Sequence, residues 1–274
     1  MNRAPAAAKI NLALVVGERR RDGLHEVATV LQRIDVCDRI ALEPAPRLAV
    51  DGFAGDTIVR AALERLADAA AVSPAWRVRI QKEIPVAAGL GGGSADAGAA
   101  LRLANETLPE PLPTGRLRQL AAGLGADVPF FLEPGPKLAE GAGERLTPLE
   151  LPQDFWVLLG LRHGVDKAST REVYERFDER GGPAGFEGRK RALLDSLAAV
   201  RRPRDFAAFP RNDLAEATGA EGLVLELRAA GAFRADVSGA GPAVYGLFHR
   251  RASAREAARR VRGGARTWVA PAVW

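Results

Sequence analysis

A cluster of glycines placed directly before an apolar helix is the feature that most constrains this 274-residue chain. In IPVAAGLGGGSADAGAALRLAN, the glycine cluster is followed by an alanine- and leucine-rich helix that we expect to begin near Ser94. Glycine lets a backbone approach a bulky anion, and the free N–H groups of a helix N-terminus favour phosphate. The segment is predicted to bind nucleotide phosphates, the alternative being a glycine loop without a ligand.

Two common phosphate-binding motifs are excluded by the sequence around the glycines. Gly93 is followed by Ser94, Ala95 and Asp96, so the Lys-Ser/Thr pair of a Walker A loop is missing. The glycines do not open the first βαβ unit of the chain as GxGxxG does in dinucleotide-binding folds. The sequence therefore predicts an ATP site of a different class.

Composition excludes several other classes of function. Hydrophobic residues make up 47% of the chain and charged residues 27%, which is enough for a sizeable core. No apolar stretch is as long as a membrane span, and the single Cys37 and three scattered histidines support neither an internal disulfide nor a zinc site. A cytoplasmic protein, without a membrane partner, is expected.

The net charge of +5 raises the question of nucleic acid. The densest basic runs, at 19–23 and 200–205, lack the interleaved aromatic residues that stack on bases. An arginine-rich solvated surface without a nucleic-acid partner is the preferred interpretation.

The hydrophobic pattern predicts an α+β architecture of alternating strands and helices. GADVPFFL, at 125–132, is expected to turn into a short strand because Pro129 ends any helix, which leaves Asp127 in a loop. A second domain is expected from about residue 150. Strands are predicted at 6–16, 27–43, 76–81, 155–161, 233–237, 243–248 and 266–270, and helices at 57–71, from about 94, and at 114–124, 169–178, 187–200, 220–230 and 252–262.

Several separated segments resemble the motifs of one kinase superfamily. PAAAKINLALVV at 5–16, PVAAGLGGGSADAGAA at 85–100 and VSGAGPAVYGLF at 237–248 are similar, in that order, to the three motifs of the GHMP kinases. RRRDGLHEVATVLQRIDVCDRI, GADVPFFL, AEGAGERLTPL and STREVY are similar to the members that phosphorylate a cytidine diphosphate-linked methylerythritol in the non-mevalonate isoprenoid pathway. Each glycine motif is only moderately specific, whereas their order together with DGLH and GADVPFF is highly specific.

The resemblance covers essentially the whole chain and implies a two-domain α+β fold. The implied domains are a ribosomal protein S5 domain 2-like N-terminal domain at 1–149, with the glycine loop and catalytic residues, and a ferredoxin-like C-terminal domain at 150–274. The implied reaction is ATP-dependent phosphorylation of the 2-hydroxyl of 4-diphosphocytidyl-2-C-methyl-D-erythritol. ATP and Mg²⁺ are the implied cofactors, and a monomer or a homodimer is equally compatible with the sequence.

Two residues are catalytic by this resemblance. Asp127 is expected to accept the proton of the acceptor hydroxyl, and Lys9 to be the cation near Asp127 and the transferring phosphoryl group. Taken alone, a lysine in an apolar strand fits a side chain that snorkels to the surface equally well, and an aspartate in a turn is common.

The same resemblance implies the residues that bind the two substrates. Ser94 is a possible Mg²⁺ ligand together with the nucleotide phosphates, and no carboxylate ligand is assigned. The third glycine motif is expected to shape the wall beside the phosphates through Ser238, Gly239 and Gly241. The expected ATP-binding residues are Pro85, Val86, Ala87, Ala88, Gly89, Leu90, Gly91, Gly92, Gly93, Ser94 and Ala95.

Asn11, Leu24, His25, Thr170 and Tyr174 are the expected residues for the cytidyl substrate. His25 is expected at the cytosine edge and Asn11 near the erythritol or its phosphate. Leu24 stands where the family usually has a tyrosine, and keeps apolar contact without ring stacking. Tyr174 is either a substitute for that stacking or a core residue of its helix.

Two alternatives stay open at the level of sequence. Leu24 and the third motif, which reads SGAGPA where SGSGPT is usual in the family, are compatible with a non-catalytic nucleotide-binding paralogue, although Lys9 and Asp127 argue for catalysis. A sister kinase acting on homoserine or a mevalonate derivative is the other alternative, for which DGLH has no evident use.

Overall fold

The structure is a computed structural model that describes residues 1–55, 58–164 and 169–274. Among the helices of these ranges, none is both long and apolar enough to span a membrane. The strands found there are β1 (Asn2–Arg19), β2 (His25–Pro44), β3 (Ala49–Asp51), β4 (Trp76–Gln81), β5 (Lys137–Gly141), β6 (Arg145–Pro148), β7 (Trp156–Arg162), β8 (Arg234–Val237), β9 (Val244–Phe248) and β10 (Ala265–Val273).

The helices complete an α+β fold, which confirms the predicted class. The α-helices of the described ranges are α1 (Ile58–Ala69), α2 (Gly92–Asn105), α3 (Thr114–Ala122), α4 (Thr170–Glu179), α5 (Phe186–Ala198), α6 (Ala215–Thr218), α7 (Glu221–Ala229) and α8 (Arg251–Val261). Two 3-10 helices cover Pro129–Leu132 and Pro203–Ala208.

Contacts divide the chain into two compact units that interleave along the sequence. Unit 1 comprises Met1–Ala8, Val36–Val86 and Gly91–Pro134, and unit 2 comprises Lys9–Asp35, Ala87–Leu90 and Gly135–Trp274. Each of the long strands β1 and β2 contributes one segment to unit 1 and another to unit 2. The boundary near residue 150 stays a prediction from the sequence.

Unit 1 combines a small sheet with the helices α1, α2 and α3. The last part of β2 pairs antiparallel with β4, and β3 runs parallel to β4. In β4, Trp76, Val78 and Ile80 are buried and alternate with exposed arginine and glutamine side chains, as expected for a strand with one face on the core. Helix α1 packs against α2, so the apolar face of α1 is buried.

A missing side chain allows a very close contact within unit 1. A Cβ on Gly98, in the middle of α2, would lie 2.7 Å from Cβ of Phe131 in the first 3-10 helix. Only glycine permits this approach, because real Cβ atoms do not come so close to other carbon atoms. Gly98 therefore fixes the segment that follows Asp127 against α2.

Unit 2 contains two groups of paired strands. The first part of β2 pairs antiparallel with β5, which pairs with β6, and the end of β10 pairs with β2 at Ile34 and Arg33. The remaining pairs follow the order β10, β7, β9 and β8, all antiparallel. Helices α7 and α8 cover the latter strands through a core that includes Leu158, Leu227 and Phe248.

Most predicted elements are present, with several differences. The expected short strand in GADVPFFL is wrong: Pro129–Leu132 forms a 3-10 helix, since a proline at the first helical position needs no N–H acceptor and has the required φ. Strands β5 and β6 lie in a glycine- and proline-rich stretch for which no strand was predicted, and β3, α6 and the second 3-10 helix were likewise not predicted. Thr57, the predicted start of α1, lies outside the described residues.

Candidate active site

The glycine loop forms the N-terminus of α2, which begins at Gly92, two residues before the predicted start. Gly91 is its N-cap residue and has a left-handed φ of 68°. The first intrahelical bond runs from Ala95 N to Gly91 O at 2.8 Å, so the N–H groups of the preceding turn have no acceptor inside the helix. No acidic residue lies in the first turn, so this end of α2 is suited to an anion.

The third glycine motif packs directly on the loop that precedes this helix, inside unit 2. The Ser238 hydroxyl donates a hydrogen bond to Gly89 O at 3.0 Å, and Ala243 N donates to Ala88 O at 3.1 Å. Gly241 N donates to Ser238 O at 2.9 Å and closes the turn. The second and third glycine motifs are therefore joined by hydrogen bonds at Ala87–Leu90.

Lys9 belongs to the same group of residues. Its backbone N donates to Leu90 O at 2.9 Å, and its Nζ donates to Asn11 Oδ1 at 2.6 Å. Both side chains are buried, and a Cβ on Gly239 would lie 3.3 Å from Lys9 Nζ. The ammonium group is thus held beside the third glycine turn and does not snorkel to the surface.

Asn11 connects Lys9 to β2. Asn11 Nδ2 donates to Thr29 Oγ1 at 2.8 Å, and Thr29 Oγ1 donates to Ala13 O at 2.6 Å. Since the amide nitrogen is used in this way, Asn11 Oδ1 is directed to the lysine. The chain of hydrogen bonds fixes the Nζ position with little freedom.

Asn212 supports the third glycine turn and was not singled out from the sequence. Its Nδ2 donates to Val237 O at 3.0 Å and to Gly239 O at 2.7 Å, and its backbone N donates to Asp236 Oδ2 at 2.9 Å. An asparagine in a loop is usually a turn residue, so its sequence context carries no indication of this role.

Asp127 lies in unit 1, in the turn between α3 and the first 3-10 helix. Its side chain is half-buried, and the turn is closed by a hydrogen bond from Val128 N to Gly125 O at 3.1 Å. Through the contact between Gly98 and Phe131 this turn is fixed relative to α2, whose N-terminus is the glycine loop.

The residues predicted for the cytidyl group lie in unit 2. His25 begins β2 and is buried, with Nε2 at 2.9 Å and 3.0 Å from the two carboxylate oxygens of Asp178. The Tyr174 ring lies 4.7 Å from the His25 ring, tilted by 34°. Leu24 is 53% exposed, and Thr170 is the exposed first residue of α4.

A buried charge cluster near the N-terminus of α2, in unit 1, was also not predicted from the sequence. Lys82 Nζ donates to Asp38 Oδ2 and, at 2.7 Å, to Asp96 Oδ2. Asp38 Oδ1 accepts from the backbone N of Glu83 at 2.6 Å and of Ile84 at 2.8 Å. Asp38 therefore ties the segment before the glycine loop to β2.

Burial raises the pKa of Asp96 to about 7, against the opposing hydrogen bond and charge of Lys82, and the neighbouring Asp38 raises it further. Burial lowers the pKa of Lys82, but the hydrogen bonds and charges of the two carboxylates outweigh it and the pKa is raised. Among the described residues, Asp96 Oδ1 is a buried oxygen without a hydrogen-bond partner.

Mg²⁺ fits this site only as an ion bound mainly by nucleotide phosphates. Within the described ranges, no three or more His, Cys, Asp or Glu side chains are grouped to hold a metal ion. The Asp96 carboxylate is paired with Lys82, which disfavours a second cation there. The Ser94 hydroxyl, half-buried in the first turn of α2, is a suitable oxygen ligand.

The predicted residues thus fall into two groups. Unit 2 brings together Lys9, Asn11, Ala87–Leu90 and the third glycine motif, and also holds the pair of His25 and Tyr174. Unit 1 contains Asp127 and the start of α2. The expected proximity of Lys9 to Asp127 involves both units and stays a prediction.

Comparison with known proteins identifies the class. The profile of the GHMP kinases N terminal domain matches residues 57–135, and that of the GHMP kinases C terminal matches residues 220–265. The chain belongs to the GHMP kinase family, which confirms the resemblance seen in the three motifs.

Within that family, two curated relatives are similar to the chain over nearly its whole length. The chain is 39% identical to the 4-diphosphocytidyl-2-C-methyl-D-erythritol kinase of Geobacter sulfurreducens, with 98% of this chain and 96% of the relative covered. It is 40% identical to the same kinase of Pelotomaculum thermopropionicum, with 94% and 93% covered.

Solved structures agree with the family assignment. A crystal structure of 4-(cytidine 5'-diphospho)-2C-methyl-D-erythritol kinase matches with a TM-score of 0.80 and 32% identity over all of both chains. A mevalonate kinase matches with a TM-score of 0.77 at 12% identity, covering 100% of this chain and 99% of the other, and this likeness shows the fold alone. The predicted two-domain GHMP kinase fold is confirmed.

Proposed function

We propose that the protein catalyses ATP-dependent phosphorylation of the 2-hydroxyl of 4-diphosphocytidyl-2-C-methyl-D-erythritol. Relatives similar over nearly the whole chain are named as kinases of this compound. In the reaction the O–H bond of the acceptor breaks and an O–P bond forms. The bond between the γ-phosphorus and the β,γ-bridging oxygen of ATP breaks, and ADP leaves with that electron pair.

Asp127 is the proposed proton acceptor. The half-buried carboxylate lies in a turn fixed against α2, so its position does not depend on a mobile loop. A positioned base of this kind contributes about 10²–10⁴-fold to a rate. The proton of the acceptor hydroxyl goes to a carboxylate oxygen of Asp127.

Lys9 is the proposed cation for the transferring phosphoryl group. Phosphoryl transfer needs charge neutralisation and in-line positioning more than covalent chemistry from the protein. The buried ammonium, held by Asn11 beside Gly239, supports this role because it places a positive charge at the third glycine turn, the proposed wall beside the phosphates. This arrangement is the observation that carries the proposal.

Pro85–Ala95 are the proposed ATP-binding residues, with the N–H groups at the start of α2 as donors to the phosphates. Bound Mg²⁺ would supply further neutralisation of phosphate charge, with Ser94 as its ligand from the protein. Ser238, Gly239 and Gly241 form the proposed wall beside the phosphates, which is supported by their contacts with the loop at Gly89.

The cytidyl substrate is proposed to bind through residues of unit 2. His25 and Tyr174 bind the nucleotide part, with exposed Leu24 and Thr170 at its edge, and Asn11 lies towards the erythritol. A cytoplasmic location, a monomer or homodimer, and the absence of a nucleic-acid partner are the accompanying predictions.

Regiochemistry gives a sharp test of this proposal. The 2-carbon of the acceptor bears a methyl group and no hydrogen, so a phosphate on the 2-hydroxyl has no proton three bonds from its phosphorus. The purified protein is incubated with ATP, Mg²⁺ and the acceptor, and the product is examined by proton-coupled ³¹P NMR. We expect a new monoester resonance without splitting by carbon-bound protons.

A monoester resonance split by neighbouring CH or CH₂ protons would mean phosphorylation at another hydroxyl and would overturn the assignment. No product from this acceptor, together with phosphorylation of homoserine or a mevalonate derivative, would move the protein to a sister branch of the family. ATP binding without phosphorylation of any of these acceptors would support a non-catalytic paralogue.

A further inference from the structure

Two side chains of α4 hold the His25 ring, one against its face and the other at its Nε2 edge. Tyr174 and Asp178 are four residues apart on this helix, so their side chains lie on the same side of it. Tyr174 covers a face of the imidazole at 4.7 Å between ring centroids, and the carboxylate of Asp178 lies within 3.0 Å of Nε2 through both oxygens.

The contact with Asp178 determines which ring nitrogen carries the proton. An ionised carboxylate only accepts hydrogen bonds, so a neutral imidazole beside it carries its hydrogen on Nε2. The tautomer follows from the hydrogen-bond partners, as is usual for histidine. Nδ1 of the neutral ring is then left with a lone pair and is a hydrogen-bond acceptor.

Asp178 is unfavourably placed for the helix itself. It lies in the last turn of α4, where the helix dipole disfavours a negative charge, and its side chain is 35% exposed. Helix stability therefore gives no reason for an acid at this position. Its hydrogen bonds to the buried His25 ring are the contacts that account for it.

We propose that Asp178 is a positioning residue that fixes His25 in the Nε2–H tautomer, so that Nδ1 accepts a hydrogen bond from the cytidyl substrate. The inference rests on the proposed function and adds the chemistry of recognition: the substrate group opposite Nδ1 is a donor. In a cytidine diphosphate compound that donor is either the exocyclic amine of the base or a ribose hydroxyl.

The tautomer is measured directly on the full-length protein by ¹⁵N NMR of the imidazole nitrogens. The chain has only three histidines, and a His25→Gln variant assigns the signals of interest. We expect a protonated Nε2 and a non-protonated Nδ1 in the wild type, and a mixture of tautomers in Asp178→Ala. A protonated Nδ1 in the neutral wild-type ring, or identical spectra for the two proteins, would overturn the inference.

Kinetics test the consequence for substrate binding. Asp178→Ala is expected to raise KM for the cytidyl substrate by about two- to tenfold, because only the fraction of His25 rings with the Nε2–H tautomer and the bound orientation can accept from the substrate. The values of kcat and of KM for ATP should change little. Asp178→Asn retains an oxygen that accepts from Nε2–H and should recover most of the affinity. Glu179→Ala removes the neighbouring exposed carboxylate and is the matched control, expected to behave as wild type.

A uridyl analogue of the substrate identifies the donor. If the base amine is the donor, Asp178→Ala raises KM for the cytidyl compound and leaves that of the uridyl analogue unchanged. If a ribose hydroxyl is the donor, KM rises equally for both.

An unchanged KM for both compounds, in an active enzyme, would overturn the inference and leave the proposed function intact. An inactive wild type would instead reject the proposed function, while the NMR result would still report the tautomer.

Discussion

Gly89 and Ser238 approach so closely that a Cβ on Gly89 would lie 2.2 Å from the carbonyl oxygen of Ser238. Gly89 also has a φ of +82°, which side-chain-bearing residues rarely adopt. The obstructing atom is a backbone oxygen, so no side-chain rotation can relieve the clash. Residues far apart in the sequence thus depend on each other, because the second glycine motif keeps its shape only where it can rest on the third.

Gly89→Ala is therefore expected to disrupt the loop. Overpacking and left-handed strain together should lower the free energy of unfolding by about 2–5 kcal/mol. ATP affinity should fall as well, since the loop leads into α2. Urea denaturation and calorimetric titration with Mg-ATP measure the two effects.

Gly231→Ala is the matched control for that substitution. Gly231 has a φ of +94° but nothing within 4 Å of an added Cβ. In the Gly231→Ala variant the free energy of unfolding should fall only by the cost of left-handed strain, about 1–2 kcal/mol. The variant should bind ATP as the wild type does. Equal losses in the two variants would show that the contact with Ser238 is not important.

Lys9→Met is expected to separate activity from stability. Methionine fills a similar volume without a charge, but it leaves Oδ1 of the buried Asn11 without the hydrogen bond from Nζ, a loss of about 1–3 kcal/mol. The free energy of unfolding should fall by no more than that amount, while kcat falls about 10²–10³-fold through lost stabilisation of the transferring phosphoryl group.

Thermal unfolding and ADP release are the measurements for Lys9→Met. Lys190→Met, which removes a lysine paired with Glu140 on the surface of unit 2, should leave kcat unchanged. A kcat in Lys9→Met equal to that of the wild type would show that the lysine has no role in catalysis.

Asp127→Asn is expected to abolish turnover and to spare nucleotide binding. The amide cannot accept the hydroxyl proton, so kcat should fall about 10²–10⁴-fold. Calorimetry should give an ATP dissociation constant close to that of the wild type. Asp68→Asn, on the exposed side of α1, is the control, and a wild-type rate in Asp127→Asn would assign the base elsewhere.

Asp96 should make stability depend on pH near neutrality. Its pKa is raised to about 7 by burial, so the folded state binds one more proton than the unfolded state from about pH 4 to about pH 7. The contribution of Asp96 to stability is therefore fully present below its ordinary pKa and is lost as pH rises through about 7.

Asp96→Asn removes this titration and keeps an oxygen for Lys82. The difference in free energy of unfolding between wild type and variant, measured by denaturant titration from pH 4 to pH 8, should shift in favour of the variant as pH rises. A difference that is constant over this range would mean that Asp96 does not titrate there.

Much of the fold was predictable because its elements carry strong local patterns. The alternation in β4 and the glycine cluster before α2 predict a strand and a helix N-terminus from elementary geometry. The sequence predicts that Pro129 ends helical structure, yet a 3-10 helix can begin on proline. Whether this segment forms a strand or a 3-10 helix depends on its packing against Gly98, which is not visible in the local sequence.

The candidate site was predictable only where motifs are short and distinctive. Asp38 did carry a signal, since it occupies an inward position of β2 between buried Val36 and Ile40. A buried carboxylate needs a partner, but nothing in the sequence selects Lys82 as that partner. Asp178 lies about 150 residues beyond His25, and only the fold shows that the two side chains meet.

Steady-state ADP release with different acceptors decides whether this GHMP kinase transfers phosphate to a cytidyl-linked methylerythritol. With saturating ATP and Mg²⁺, we expect turnover with 4-diphosphocytidyl-2-C-methyl-D-erythritol, none with homoserine or mevalonate, and loss of that turnover in Asp127→Asn. Turnover with homoserine or mevalonate, and none with the cytidyl compound, would mean that the acceptor is a different alcohol.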